Sequence, residues 1–162
     1  MTRVFVGIGS NIDREANVRA GVAELQAHYG DVRFSSVYET AAVGFEGASF
    51  YNLVATFITD QTLENLIQTL GQIEECHGRI RGSERFSPRT LDIDLLLYGD
   101  LVARGEGYHV PRDEITRYAF VLQPLAEMAP DLRHPQTGET FANMWAAFDK
   151  SEQHLEAITF VW

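Results

Sequence analysis

Residues Arg79–Tyr98 read RIRGSERFSPRTLDIDLLLY, and the two halves of that stretch make different demands on the fold. Leu91 to Tyr98 is apolar and strand-like, broken only by Asp92 and Asp94, and in a strand side chains two apart share a face. The two aspartates therefore point the same way. Two oxygen anions on a rigid strand suit a hard cation such as Mg²⁺, which takes one or two carboxylates and fills its shell with water and phosphate. In the first half, Arg79, Arg81, Arg85 and Arg89 crowd together directly before those carboxylates. Planar guanidinium forks match phosphate oxygens in pairs, which supplies one partner for them. The plainer alternative is a surface cluster of ion pairs at the start of a strand, since arginine and aspartate often pair without function. Pro88 is expected to hold the chain extended between the last two arginines, and Gly82 with Ser83 to form a mobile loop.

Upstream of that stretch, Val4, Val6 and Ile8 alternate over Thr2 to Ile8, a strand signal, and Gly9-Ser10-Asn11 reads as a turn leading into a helix N-cap. Val18, Val22, Leu25 and Tyr29 repeat at helical spacing until Gly30. A second strand is predicted over Val32–Tyr38 and a loop over Glu39–Ser49, whose Gly44 and Gly47 suggest mobility near a site. A third strand follows over Phe50–Ile58, with Asn52 as its one polar interruption. A buried asparagine must satisfy donor and acceptor, so Asn52 is either a structural hydrogen bonder or a reader of a heterocycle edge. Asp60 or Thr62 caps a second helix with the stripe Leu63, Leu66, Ile67, Leu70 and Ile73. Glu74, near its end, is placed to pair with an arginine or to meet a ligand.

The resulting order, β-α-β-β-α-β up to Tyr98, is that of a ferredoxin-like unit. The fold class expected is α+β: a ferredoxin-like antiparallel sheet, helices packed on one face, and C-terminal elements completing a single domain over 1–162. Those additions include a loop or hairpin around Arg104–Gly107, a surface turn at His134-Pro135, a short helix near Phe141 to Phe148, and a closing strand with Ile158, Phe160 and Trp162 alternating.

A net charge of −10 and a pI near 4.8 argue against a nucleic-acid partner, which needs a basic face. Lys150 is the only lysine, so a phosphate loop ending in Gly-Lys-Ser/Thr is excluded. One cysteine, Cys76, forbids an internal disulfide, and the N-terminus lacks a secretory pattern, so a soluble cytoplasmic protein is expected. No apolar stretch reaches the roughly 18 residues a membrane span needs.

The run RFSPRTLDIDLLLYG, residues 85–99, resembles the signature of the bacterial hydroxymethyldihydropterin pyrophosphokinases of folate biosynthesis. Phe120-Val121-Leu122-Gln123-Pro124-Leu125 resembles that family's F-V-L-x-P-L segment, and Phe50-Tyr51-Asn52 its pterin-reading segment. The resemblance implies transfer of pyrophosphate from ATP to the hydroxymethyl group of 6-hydroxymethyl-7,8-dihydropterin, with release of AMP. It implies that Asp92 and Asp94 hold two Mg²⁺ ions and that Arg81 and Arg89 neutralise charge during transfer. Glu74, Arg79, Arg81, Phe86, Arg89, Leu95 and Arg112 would bind ATP. Thr40 and Val43 would supply backbone contacts to a pterin sandwiched by Phe50 and Phe120 and read by Asn52. A functional link to dihydropteroate synthase follows from the same resemblance.

Several positions depart from the family pattern. Arg112 stands where a histidine usually follows the proline, Tyr118 where an arginine is common, and Phe86-Ser87 where Trp-Gly is usual. Gly71 and Gly107 stand where some members have side chains touching ATP. The nucleotide side is thus altered and the pterin and metal residues are intact. Two alternatives stay open on the residues alone: a catalytically weak paralogue that binds a pterin or nucleotide as a sensor or partner module, and a ligand-free ferredoxin-like interaction domain.

Overall fold

A computed structural model of the chain describes residues 1–40, 49–77 and 91–162. The elements run β1 (Thr2–Ser10), α1 (Arg14–Tyr29), β2 (Arg33–Phe34), β3 (Val37–Thr40), β4 (Phe50–Thr59), α2 (Leu63–Cys76) and β5 (Asp92–Tyr98). The hairpin β6 (Ala103–Gly105) and β7 (Tyr108–Val110) follows, then α3 (Glu114–Arg117), α4 (Ala119–Met128), α5 (Phe141–Ala147) and β8 (Leu155–Ile158). The main sheet is antiparallel in the order β5-β1-β4-β3-β8, with β2 also on β4, so the expected α+β class with a ferredoxin-like unit through Tyr98 is the architecture observed.

One face of the sheet is built as the periodicities predict. Val4, Val6 and Ile8 of β1, Leu53, Ala55 and Phe57 of β4, and Ile93 and Leu95 of β5 meet Val18, Val22 and Leu25 of α1 and Leu66, Leu70 and Ile73 of α2. Each of these Val, Leu, Ile and Phe side chains contributes about 1.5–3 kcal/mol by leaving water. Thr62 is the cap of α2, its hydroxyl accepting from Asn65 N at 3.2 Å. Helix α1 begins instead at Asp13 in a left-handed conformation (φ 43°), where Asn17 Nδ2 donates to Ile12 O at 2.7 Å.

The helices are not confined to that face. Phe5, Val54, Leu96 and Leu97 on the opposite side pack against Ile115 of α3, Val121, Leu122 and Leu125 of α4, and Phe141 of α5, making three layers. Pro124 sits within α4, and the apolar run from Phe120 is a helix there.

Four local expectations are corrected. Gly9 and Ser10 belong to β1, not to a turn after it. The predicted second strand is split, because Ser35 turns its hydroxyl to Ser36 O (2.8 Å) and accepts from Val54 N (3.0 Å), and pairing resumes through Thr40. The closing strand ends at Ile158, and Phe160 and Trp162 pack beyond it as an aromatic cluster with Phe34 and Tyr51. His134 occupies the expected turn, but its side chain is buried and its Nδ1 accepts from Gln136 N and Thr137 N, and burial pushes its pKa down.

Candidate functional site

Register brings the acidic strand and the asparagine strand to a common face. Asp92 and Asp94 of β5 lie opposite Gly9 and Gly7 of β1, Gly9 lies opposite Asn52 of β4, and Phe50 lies opposite Thr40 of β3. Directly opposed residues project to the same side of a sheet, so Asp92, Asp94, Asn52, Phe50 and Thr40 all stand on the face that α3 and α4 cover. Between them β1 offers only Gly7 and Gly9. With strands about 4.8 Å apart, Asp92 and Asn52 stand about 10 Å apart across a strand that contributes no side chain of its own there. A methyl group at Gly9 would fall 2.7 Å from Asn52 Oδ1, inside contact distance, so glycine is required for this approach.

At one end of this trough, buried Asn52 donates from Nδ2 to Thr40 Oγ1 at 2.6 Å, which fixes its amide and leaves Oδ1 over Gly9. Phe50 is half-buried beside it. Phe120, at the start of α4, stacks on Tyr118 with centroids 5.1 Å apart and planes 18° from parallel. Tyr118 N-caps α4 without a side-chain bond, and Gln153 takes over that task by accepting from Ala119 N (2.8 Å) and donating to Arg117 O (2.9 Å). Glu127 of the same helix grips β3, accepting from Tyr38 OH and from Ser36 N, and burial together with that carboxylate pushes the Tyr38 phenol far up.

At the other end, Asp92 and Asp94 flank buried Ile93, and a bulge opposite Phe5 and Val6 follows immediately. Bulges re-aim side chains beside active sites. Among the described residues β5 is the edge of the sheet, and the outward N–H of Ile93 faces no strand there. Glu74 from the last turn of α2 reaches across and accepts it on Oε2 at 2.9 Å. The carboxylate thereby completes the ladder between the two aspartates.

Arg112 stands beside the acid pair. Its backbone N donates to Leu96 O at 3.0 Å, its Nη2 lies 3.6 Å from Asp94 Oδ1, and its Nε pairs with Glu114. Burial works to lower its pKa, and the charges of Asp94, Glu114 and Asp92 more than reverse that, so it is raised. Two partly exposed carboxylates on one strand face, already facing a cation, form a hard-oxygen donor set that fits Mg²⁺.

Leu95 differs from the other expected nucleotide contacts. It is buried in the α1/α2 core on the opposite face from Asp92 and Asp94, because alternation turns it away, so its side chain is not presented to the site. Arg79, Arg81, Phe86, Arg89 and Val43 lie outside the described residues. Reading the residues missed Gly7 as site-forming and took Gly9 for part of a turn, although V-G-I-G places two glycines on one strand face. It also missed Glu114, whose role depends on a partner known only from the fold.

The family model described as 7,8-dihydro-6-hydroxymethylpterin-pyrophosphokinase matches residues 5–130. A Synechocystis protein named 2-amino-4-hydroxy-6-hydroxymethyldihydropteridine pyrophosphokinase is 38% identical over 142 residues, covering 86% of this chain and 72% of its own. A protein of the same name from Methylorubrum extorquens is 36% identical over 155 residues, 93% of this chain and 96% of its own. The crystal structure of wild-type Plasmodium falciparum HPPK-DHPS with SDX-DHP shares the fold at TM-score 0.69 and 14% identity, covering 90% of this chain. This chain spans 43% of that longer one.

Proposed function

The chain belongs to the 7,8-dihydro-6-hydroxymethylpterin-pyrophosphokinase family, and we propose that it works in the glycine-floored trough, with nucleotide at the Asp92/Asp94 end and pterin at the Asn52 end. It is a transferase of folate biosynthesis that uses ATP as co-substrate and moves pyrophosphate to the hydroxymethyl group of 6-hydroxymethyl-7,8-dihydropterin, releasing AMP. In that step the hydroxyl oxygen bonds to the β-phosphorus, the bond to the α,β-bridging oxygen breaks, and AMP leaves with the electron pair while the hydroxyl proton passes to solvent.

The observation that carries the reading is the row Asp92–Gly9–Asn52 across three adjacent strands. It sets a carboxylate pair and a fixed amide on one face with only glycine between them on β1, where Leu96 borders Gly7 and Phe50 borders Gly9, so a hydroxymethyl group and a phosphate chain can approach each other over that strand. Asn52, oriented by Thr40, would read the pterin edge, and Phe50 and Phe120 would sandwich its ring. Asp92 and Asp94 would hold Mg²⁺, in two ions on this reading, which when bound neutralises the triphosphate and lowers the pKa of the attacking hydroxyl. Arg81 and Arg89 would neutralise charge on the transferred and leaving phosphates, the main demand of such a transfer. Glu74, which clamps β5, would also contact the adenosine side of ATP. Val43 and Thr40 would add backbone contacts to the pterin, and Arg79, Phe86 and Arg112 contacts to ATP, with Leu95 limited to its main chain.

We further propose that residues 1–162 act as one pyrophosphokinase domain in the cytoplasm, with a functional link to dihydropteroate synthase. The solved HPPK-DHPS chains support that link, and among the described residues no helix is long and apolar enough to cross a membrane. Relatives sharing over a third of their residues carry the pyrophosphokinase name, which supports catalysis over a binding-only paralogue or an interaction domain. Incubation with ATP, Mg²⁺ and hydroxymethyldihydropterin should yield AMP and pyrophosphorylated pterin in equal amounts. ADP in place of AMP would show that the β-phosphorus is not the target.

A further inference from the structure

We propose that Arg112 is a resident counter-ion of the metal pair: it occupies Asp94 electrostatically in the free protein, so that divalent metal binds weakly alone and well only together with nucleotide. The inference rests on the reading of Asp92 and Asp94 as metal carboxylates and deepens it.

Asp92 and Asp94 project from one strand face, so two like charges stand close together on a partly buried surface. Such a pair needs a cation nearby whenever metal is absent. The chain supplies one of its own. The backbone bond from Arg112 N to Leu96 O seats residue 112 against β5 just past the bulge, and Nη2 then reaches to 3.6 Å from Asp94 Oδ1. A guanidinium stays protonated at any working pH, so this positive charge is permanent.

The second carboxylate makes the arrangement reversible. Arg112 also pairs with Glu114, which lies two residues on at the start of α3. When a metal ion takes Asp94, Arg112 keeps Glu114 as a partner and is not left as a buried unpaired charge. The donors it releases from Asp94 are then available to phosphate oxygens, which a guanidinium fork meets in pairs. A cation that opposes metal alone and favours phosphate couples the two ligands, and that coupling is reciprocal by linkage. Arg112 is a positioning residue in this account for the metal and a contact for the nucleotide.

The test is titration of the full chain with Mn²⁺, followed by paramagnetic resonance of the free ion, with and without α,β-methylene-ATP, whose bridging carbon blocks cleavage at the reacting bond. Arg112→Gln should bind Mn²⁺ alone about fivefold more tightly than the unaltered protein, the size expected for a partly exposed charge at this distance. With the analogue present that advantage should vanish or reverse. Arg112→Lys, which keeps the charge, should return Mn²⁺ affinity toward that of the unaltered protein. Glu114→Gln should act in the opposite sense, weakening Mn²⁺ binding alone because the guanidinium is left to Asp94. Should Arg112→Gln fail to fold, Glu114→Gln decides: unchanged or tighter Mn²⁺ binding overturns the inference. Equal Mn²⁺ affinity in the unaltered and Arg112→Gln proteins overturns it too, with the metal reading left standing. The absence of saturable Mn²⁺ binding in every form, even with the analogue, or binding indifferent to Asp94→Asn, overturns the metal reading and this inference with it.

Discussion

The two faces of the sheet are made of the same strands and obey opposite rules. Toward α1 and α2 the inward positions are apolar from Val4, Val6 and Ile8 to Ile93 and Leu95, with buried Ser10 and Thr59 at the strand ends as polar exceptions. Toward α3, α4 and α5 the apolar cover holds over Phe5, Val54 and Leu97, then gives way to Asp94, Asp92, Gly7, Gly9 and Asn52. The first face carries stability, and the second gives up part of its apolar cover for a glycine floor flanked by polar side chains. The division follows from the strand period of two: one residue's shift in register would put the acid pair into the core.

That division is open to direct challenge. The largest effect should come from Asp92→Ala or Asp94→Ala, each lowering kcat on the order of a thousandfold through loss of several kcal/mol of charge stabilisation. Thermal melts should show the fold intact, and turnover within tenfold of the unaltered protein would break the comparison. Leu66, fully buried on the other face, should give the mirror image. Leu66→Ala should cost about 2–5 kcal/mol of stability by cavity formation, measured by urea denaturation, while KM for both substrates stays put. A fall in kcat beyond the unfolded fraction would show the faces to be coupled. The smallest effect should come from Gly9→Ala, where the new methyl displaces Asn52 Oδ1 from 2.7 Å. A cost of about 1–3 kcal/mol is expected for such overpacking. On the proposed pterin reading it appears as weaker pterin affinity by calorimetry, with ATP binding preserved.

Much of the first face was legible in the residues, because it consists of unbroken periodicity: Val18, Val22 and Leu25 at helical spacing, Val4, Val6 and Ile8 at strand spacing. The acid pair was legible for the same reason, as an exception placed on a clear strand. The C-terminal layer was harder to place. Phe120 to Met128 is apolar around most of its circumference, so no stripe announces which side it covers. Phe160 and Trp162 alternate like strand residues, yet they pack through ring contacts after pairing has stopped. Gly9 was read as a turn because glycine is common in turns. Its use as a bare patch in a strand depends on Asn52, which lies 43 positions along the chain and across a register that local pattern does not contain.

The hydrogen bond from Ile93 N to Glu74 Oε2 joins residues 19 apart in sequence and therefore closes a ring of chain. The ends of the segment that carries Arg79, Arg81, Arg85 and Arg89 are thus tied to each other as well as to the fold. In polymer terms the closure entropy of that ring is charged to folding. Closure entropy grows only with the logarithm of contour length, each doubling adding about 0.6 kcal/mol. A few residues inserted into this ring would therefore alter its entropy by tenths of a kcal/mol, and the spacing of Asp92 and Asp94, set by the β1–β5 ladder, would be indifferent to them.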